Sequence, residues 1–224
     1  MRKILLILTM IFAMSIQISE AAETPIVAVM DLGTHPGAVP IDINILNAGR
    51  VASDYTVEKL LDDNQFIVME RTIIDEQLEE ENIKYEGIID PDTAQRIGKM
   101  LGAKYLIYGN VNDVTLSDVG TQVLTSGVTV CTVGSHVILR MMDVDTGAIV
   151  SMSKGEGKSK SSFTNVGSPM YMITVGTKTV TQDSVHNAIQ KAAYQATEIL
   201  VDRMLNGVSK SNDKSKDKSK RKKS

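Results

Sequence analysis

Tryptophan is absent from this chain of 224 residues, and only three phenylalanines and six tyrosines are present. The hydrophobic core must therefore consist mainly of valine, isoleucine, leucine and methionine. Cys131 is the only cysteine, which excludes an intrachain disulfide. Because no base lies beside it in the sequence, we interpret Cys131 as a small, buried or half-buried apolar residue and not as a reactive thiol.

Histidine is equally scarce, and the three residues, His35, His136 and His186, fall on a predicted loop, strand and helix. Metal sites usually contain at least one local pair of ligands, so the spacing predicts no metal site, and we expect no cofactor. The acidic run at residues 76–81 lacks the contrasting environments that paired catalytic carboxylates need, and is interpreted as a solvated helix face. The sequence predicts no catalytic residue, and we expect a protein that is not an enzyme.

The segment Gly155-Glu-Gly-Lys-Ser159 matches only the end of a phosphate-binding loop. Met152 stands where the first glycine of that motif is required, and no predicted helix follows to hold a phosphate at its N-terminus. We therefore interpret the segment as a mobile connection between two strands.

The first 21 residues have the pattern of a secretory signal. Arg2 and Lys3 precede an apolar stretch at residues 4–18, and Ser19 and Ala21 supply the small residues of a cleavage site. An N-terminal membrane anchor is the alternative, although the stretch is shorter than the roughly 20 residues of a spanning helix. Because no cysteine lies near the cleavage site, we expect the exported protein to have no lipid anchor.

The charge of the chain is unevenly distributed. Residues 208–224 contain eight Lys/Arg and two Asp, whereas the whole chain has a net charge of −3. Because residues 210–224 contain no apolar residue to bury, segment 208–224 is predicted to be a disordered basic tail. Contact with anionic polymers or lipid of the envelope and a solubilising role without a partner both remain open, and we expect no nucleic-acid partner.

Hydrophobic patterning predicts alternating strands and helices in the first half of the chain. The predicted strands are residues 25–32, 65–70 and 104–111, and the predicted helices are 45–61, 72–81 and 93–101. Residues 34–44 are predicted to form a loop. Thr72 and Asp75 suggest a capping box, while Asp90 and Pro91 indicate the start of a helix that Gly102 ends.

The second half predicts antiparallel strands and one long helix. Residues 137–144 and 149–153 flank a hairpin turn at Asp145-Thr-Gly147, and a helical period runs from Ser184 to Asn206. Residues 119–133 and 170–181 are each long enough for a membrane β-strand of about 9–11 residues, but ordinary soluble hairpins explain them equally well. The fold class is therefore predicted to be α/β, with a mixed sheet packed by helices.

Several short motifs occur together in this framework. They are Glu70-Arg71, the pattern Ala94-x-x-Ile97-Gly98-x-x-Leu101-Gly102-Ala103-x-Tyr105, Gly109, Asp145-Thr-Gly147 and Ala188-Ile189. With these motifs the chain resembles the CsgG-like family of curli production assembly and transport components, which is related to TolB N-terminal-like domains. The resemblance covers most of residues 25–206, and its motif residues are scaffold residues without a catalytic role.

The resemblance implies a domain at residues 22–207 with two β-hairpin insertions, near 113–136 and 154–181. It also implies a candidate pore loop at Thr34, His35 and Pro36. On the second insertion, Tyr171, Ile173 and Val175 share one face and are the candidate lipid-facing residues.

The function that the resemblance implies is that of a subunit or accessory of an outer-membrane export or surface-fibre assembly system. The protein is then expected in the periplasmic space, in association with the outer membrane or inserted in it, as a homo-oligomer that meets other envelope proteins or an exported polypeptide. The alternative is a soluble periplasmic binding module that regulates a cell-wall synthase.

Overall fold

The computed structural model describes residues 24–35, 47–83, 89–123, 126–166 and 182–206. Its elements, in chain order, are β1 (Ile26–Val29), β2 (Gly33–Thr34), α1 (Ala48–Asp63), β3 (Ile67–Val68), α2 (Arg71–Glu80), α3 (Pro91–Leu101), β4 (Tyr105–Val123), β5 (Ser126–Asp143), β6 (Ile149–Val166) and α4 (Gln182–Asn206). The predicted signal (1–21) and basic tail (208–224) lie outside the described residues.

The strands form one sheet in the order β3-β1-β4-β5-β6, with β2 paired to β4. Strands β3, β1 and β4 run parallel, and β1 reaches β3 through the crossover helix α1. Strands β4, β5 and β6 pair antiparallel. The sheet is therefore mixed, as predicted.

Helices cover both faces of the sheet. On one face, α1 and α4 bury Leu60, Ile189 and Leu200 against a core that includes Ile107, Leu139 and Met141 of the strands. On the other face, α2 and α3 contribute a second cluster around Leu106, Tyr108 and Met142; the helical members are Ile74, Leu78, Ala94, Ile97 and Leu101. This three-layer arrangement confirms the predicted α/β fold class.

Helix α3 begins and ends as predicted. The Asp90 carboxylate accepts a hydrogen bond from the Thr93 N–H at 3.0 Å, and Pro91 occupies the first turn. Gly102 ends the helix with φ of 64°, a conformation that glycine adopts without steric penalty. The sequence signals of this helix are local, which is why they predict it correctly.

Replacing Asp90 with alanine should lower the melting temperature by a few degrees at neutral pH, because the cap hydrogen bond is lost. The Thr93 N–H lowers the pKa of the Asp90 carboxyl. The cap therefore stabilises the fold above the ordinary carboxyl pKa, and this contribution is lost as the pH falls through the lowered native value. Melting curves of both proteins at neutral and acidic pH should converge in acid; a constant difference would contradict the capping role.

The predicted start of α2 is wrong. The helix begins at Arg71 with Glu70 in the capping position, and no side-chain hydrogen bond caps it. Thr72 is thus the second helical residue and does not form a capping box. The start is set instead by Arg71, whose guanidinium is tied to β1 and α1 in the cluster described below.

The predicted mobile connection at residues 155–159 is also wrong, because this segment lies in β6 and pairs with β5 as far as Val166. Its glycines allow α4 to approach the strand. An ideal Cβ on Gly157 would lie 1.8 Å from the Ala188 carbonyl oxygen, and one on Gly155 would lie 1.9 Å from that of Ala192. The glycines therefore serve helix–sheet packing and not phosphate binding.

Candidate functional site

The most distinctive feature of the molecule is a long β-hairpin. Strands β4 and β5 pair continuously from Tyr105 opposite Asp143 to Val123 opposite Ser126. At about 3.4 Å per residue, strands of this length reach roughly 60 Å. The sequence suggested that residues 119–133 could form one strand. This prediction is wrong, because the chain reverses between Val123 and Ser126.

The hairpin changes character at a β-bulge between Val111 and Asp113. Below the bulge the strands contribute to the cores on both faces of the sheet, whereas above it Val114 and Val133 still belong to the core of α1 and α4. Just above it, Asp113 lies opposite His136, which in turn lies opposite Glu156 of β6. Three strands thus present polar side chains in one row, which we call the root cluster.

The root cluster is held together by hydrogen bonds and charge. His136 Nδ1 contacts Asp113 Oδ1, and His136 Nε2 lies 3.4 Å from Glu156 Oε1. The ammonium of Lys154 lies 3.3 Å from the same Glu156 oxygen, and it lowers the pKa of Glu156, with a further contribution from His136. The cluster offers no nucleophile, and the described residues contain no group of three or more potential ligands arranged for a metal ion.

Helix α4 closes the open edge of β6 with three polar side chains. Arg203 Nη1 donates to the Met152 carbonyl oxygen, Gln195 Oε1 accepts from the Glu156 N–H at 2.6 Å, and Lys191 Nζ donates to the Lys158 carbonyl oxygen at 3.1 Å. Backbone groups on a sheet edge are otherwise available for pairing with another strand. Along this part of β6, strand addition is therefore blocked by the protein's own helix.

The structure places two of the three candidate pore-loop residues beside the bulge. Thr34 pairs with Val111, and its Oγ1 accepts a hydrogen bond from the Gly49 N–H at 3.2 Å. His35 is exposed, and its N–H donates to the Val111 carbonyl oxygen at 3.1 Å. Thr34 is consequently part of a short strand, which corrects the predicted loop. Pro36 lies outside the described residues, as do Tyr171, Ile173 and Val175.

Arg71 occupies a second polar cluster, at the carboxyl end of β1. Its guanidinium contacts Asp31, lies 2.7 Å from Asp54 Oδ1 and donates to Ser53 Oγ at 3.0 Å. Burial lowers the pKa of Arg71 and raises that of Asp54. The arginine therefore joins β1, α1 and α2 through one side chain, which gives the Glu70-Arg71 motif a structural explanation.

Sequence reasoning missed the root cluster and the polar side chains of α4 that close the β6 edge. One signal could have found them. Residues 151–160 alternate small residues with Met152, Lys154, Glu156, Lys158 and Lys160. Such a pattern of period two is typical of a strand, but its buried face is made of serine and glycine and does not register as hydrophobic.

Among the described residues, no helix has both the length and the apolar character needed to cross a membrane.

Comparisons with known proteins agree with the resemblance seen in the sequence. The family model for the curli production assembly/transport component CsgG matches residues 12–224. No curated protein sequence matches the chain.

Solved structures with similar folds share little sequence with the chain. The C-terminal domain of LpoB from Salmonella enterica is 15% identical, with a TM-score of 0.40, over 59% of this chain and 82% of that chain. Lipoprotein GNA1162 from Neisseria meningitidis is 14% identical, with a TM-score of 0.43, over 61% and 84% of the two chains. The PelC dodecamer from Paraburkholderia phytofirmans is 14% identical, with a TM-score of 0.37, over 79% and 88%.

The match to the family model extends over essentially the whole chain and defines a cell-envelope protein of the assembly and transport class. The chain belongs to the CsgG family, and the recognition made from its motifs is confirmed.

Proposed function

We propose that this protein is a non-enzymatic, homo-oligomeric subunit or accessory of an outer-membrane export or surface-fibre assembly system. Residues 1–21 then act as an export signal, residues 22–207 form the periplasmic domain, and residues 208–224 form the basic tail. Family membership supports the general role in the envelope. The observation that carries the particular proposal is the hairpin of β4 and β5, which continues past the bulge and the core.

Membrane insertion would require the hairpins of several copies. The paired strands of a single copy still leave outer edges with unpaired backbone groups, and each such group costs several kcal/mol in hydrocarbon. Closing a barrel removes these edges, so insertion and oligomerisation are expected to occur together. The second hairpin, near 154–181, would supply the remaining strands, with Tyr171, Ile173 and Val175 facing lipid and Thr34, His35 and Pro36 facing the pore.

A soluble periplasmic binding module that regulates a cell-wall synthase is the second candidate. It is favoured by the root cluster, because Asp113, His136 and Glu156 form a polar row across β4, β5 and β6 that needs water or a polar partner. The two functions differ in whether the protein associates with membranes.

The double substitution Ile173→Asp and Val175→Asp should abolish membrane association, because carboxylates on the lipid-facing side of a strand oppose insertion. The protein is expressed with its own signal in a Gram-negative host, and membranes are washed with high salt before detergent extraction. The extracted oligomer is then measured by light scattering after size exclusion. Circular dichroism of the variant should remain that of a folded α/β protein.

Met172→Asp with Thr174→Asp is the matched control, since it adds the same charge to the opposite face of the same segment. This control should retain membrane association. Complete release of the wild-type protein by salt, as a monomer, would contradict the export role and favour the soluble binding module.

A further inference from the structure

On the face of the sheet that α2 and α3 cover, one end of the sheet is acidic and the other end is basic. The end formed by β3 lies next to α2, and the opposite end of the described sheet is β6. We infer that these ends are the two halves of one contact between copies of this chain, so that α2 of one copy docks on the outer face of β6 of the next. This inference rests on the proposed oligomeric function and names the surfaces that would form it.

The end at β3 is acidic. Residues 70–81 contain six acidic side chains and one arginine, and the exposed acidic residues of α2 are Asp75, Glu76, Glu79 and Glu80. Apolar side chains accompany them, because Ile67 on β3 is 54% exposed and Ile73 on α2 is 44% exposed. Charged residues beside exposed apolar ones are typical of a surface that meets another protein.

The end at β6 is basic. Lys154, Lys158 and Lys160 are exposed on the outer face of the strand, and the single acidic residue among them, Glu156, is paired with Lys154 and His136. Apolar side chains occur here too, since Met152 is 45% exposed. The two ends are therefore complementary in charge, and each has apolar groups to bury.

The register of the sheet places both surfaces on one face. Tyr108, Arg140 and Met152 are directly opposite one another on β4, β5 and β6 and so share a face, which is the one covered by α2 and α3. Every second residue after Met152, from Lys154 to Lys160, lies on that face. A contact in which α2 of one copy meets β6 of the next copy is heterologous, and such contacts close into a ring when the rotation between copies is suitable.

The contact must use side chains and not strand pairing along the lower part of β6. Arg203, Gln195 and Lys191 occupy the backbone groups of its open edge. A contact that depends on charged side chains should weaken as salt rises, because the Debye length falls from about 10 Å at 0.1 M to about 3 Å at 1 M.

Charge reversal tests the inference in the full chain, extracted in detergent. Lys158→Glu with Lys160→Glu, and separately Glu79→Lys with Glu80→Lys, should each weaken self-association about tenfold or more, measured by sedimentation velocity at low salt. An equimolar mixture of the two variants should assemble again, because each reversed surface then meets its complement. Arg96→Glu with Lys99→Glu, on α3 between the two ends, is the matched control and should assemble like the wild type.

The outcomes separate this inference from the proposed function. If the wild type assembles and both reversed variants assemble equally well, the copies meet through other surfaces and the inference is wrong, while the oligomeric function stands. The inference is also overturned if each variant is defective but the mixture does not recover. A wild type that stays monomeric under all these conditions would refute the proposed function and the inference together.

Discussion

Replacing Gly157 with valine should destabilise the fold by about 4 kcal/mol or more, which is among the largest effects expected of a single substitution. The new Cβ would lie 1.8 Å from the Ala188 carbonyl oxygen, which belongs to the backbone of α4 and cannot rotate away. Helix α4 would have to move off the strand, which would separate Ala188, Ile189 and Ala192 from the core. Urea unfolding followed by circular dichroism measures the loss.

Lys158→Val is the control for this substitution, since it places the same side chain on the adjacent residue, whose own side chain is exposed. Its effect on the free energy of unfolding should be below about 1 kcal/mol. Equal losses at both positions would mean that α4 does not pack on β6 as closely as the structure shows. A similar loss for Gly155→Val, against Ala192, is expected on the same grounds.

The parts of the fold that sequence reasoning predicted correctly are those with local signals. Asp90, Pro91 and Gly102 define α3 because capping and helix termination depend on neighbouring residues. The long period of α4 was visible for a similar reason, since its small residues repeat along one face. The class of fold followed from the order of such elements.

The wrong predictions concern features that depend on tertiary contacts. Thr72 has the residue type of a cap, but the position of Arg71 against Asp31 starts α2 one residue earlier. The glycines of β6 suggested mobility, yet they are required because the helix backbone lies against the strand. Neither contact can be inferred from residues close in sequence.

The root cluster was not predicted from the sequence. The boundaries 113 and 136 of the first predicted insertion belong to residues that lie directly opposite each other in the structure. Their contact, and the third partner Glu156, depend on the register of three strands, which a single sequence does not specify. The membrane role of the insertions remains a proposal.

The polar cluster around Arg71 leads to the second large effect. Arg71→Met should destabilise the fold by about 2 kcal/mol, less than the 3–5 kcal/mol of a fully buried pair because the side chain is partly exposed. The substitution keeps the apolar length of the side chain and removes the cation. Asp31, which is half-buried, and Ser53, which is buried, would then lose the guanidinium that they now contact.

Arg71→Lys separates charge from geometry, because an ammonium group cannot donate to Asp31, Asp54 and Ser53 in the planar fork of a guanidinium. We expect this variant to lose about half as much stability as Arg71→Met. Arg96→Met on the exposed side of α3 is the matched control and should change the free energy of unfolding by less than about 0.5 kcal/mol. Thermal and urea unfolding of the four proteins provide the comparison. If Arg71→Met behaves like Arg96→Met, the arginine does not join β1, α1 and α2, and the motif Glu70-Arg71 requires another explanation.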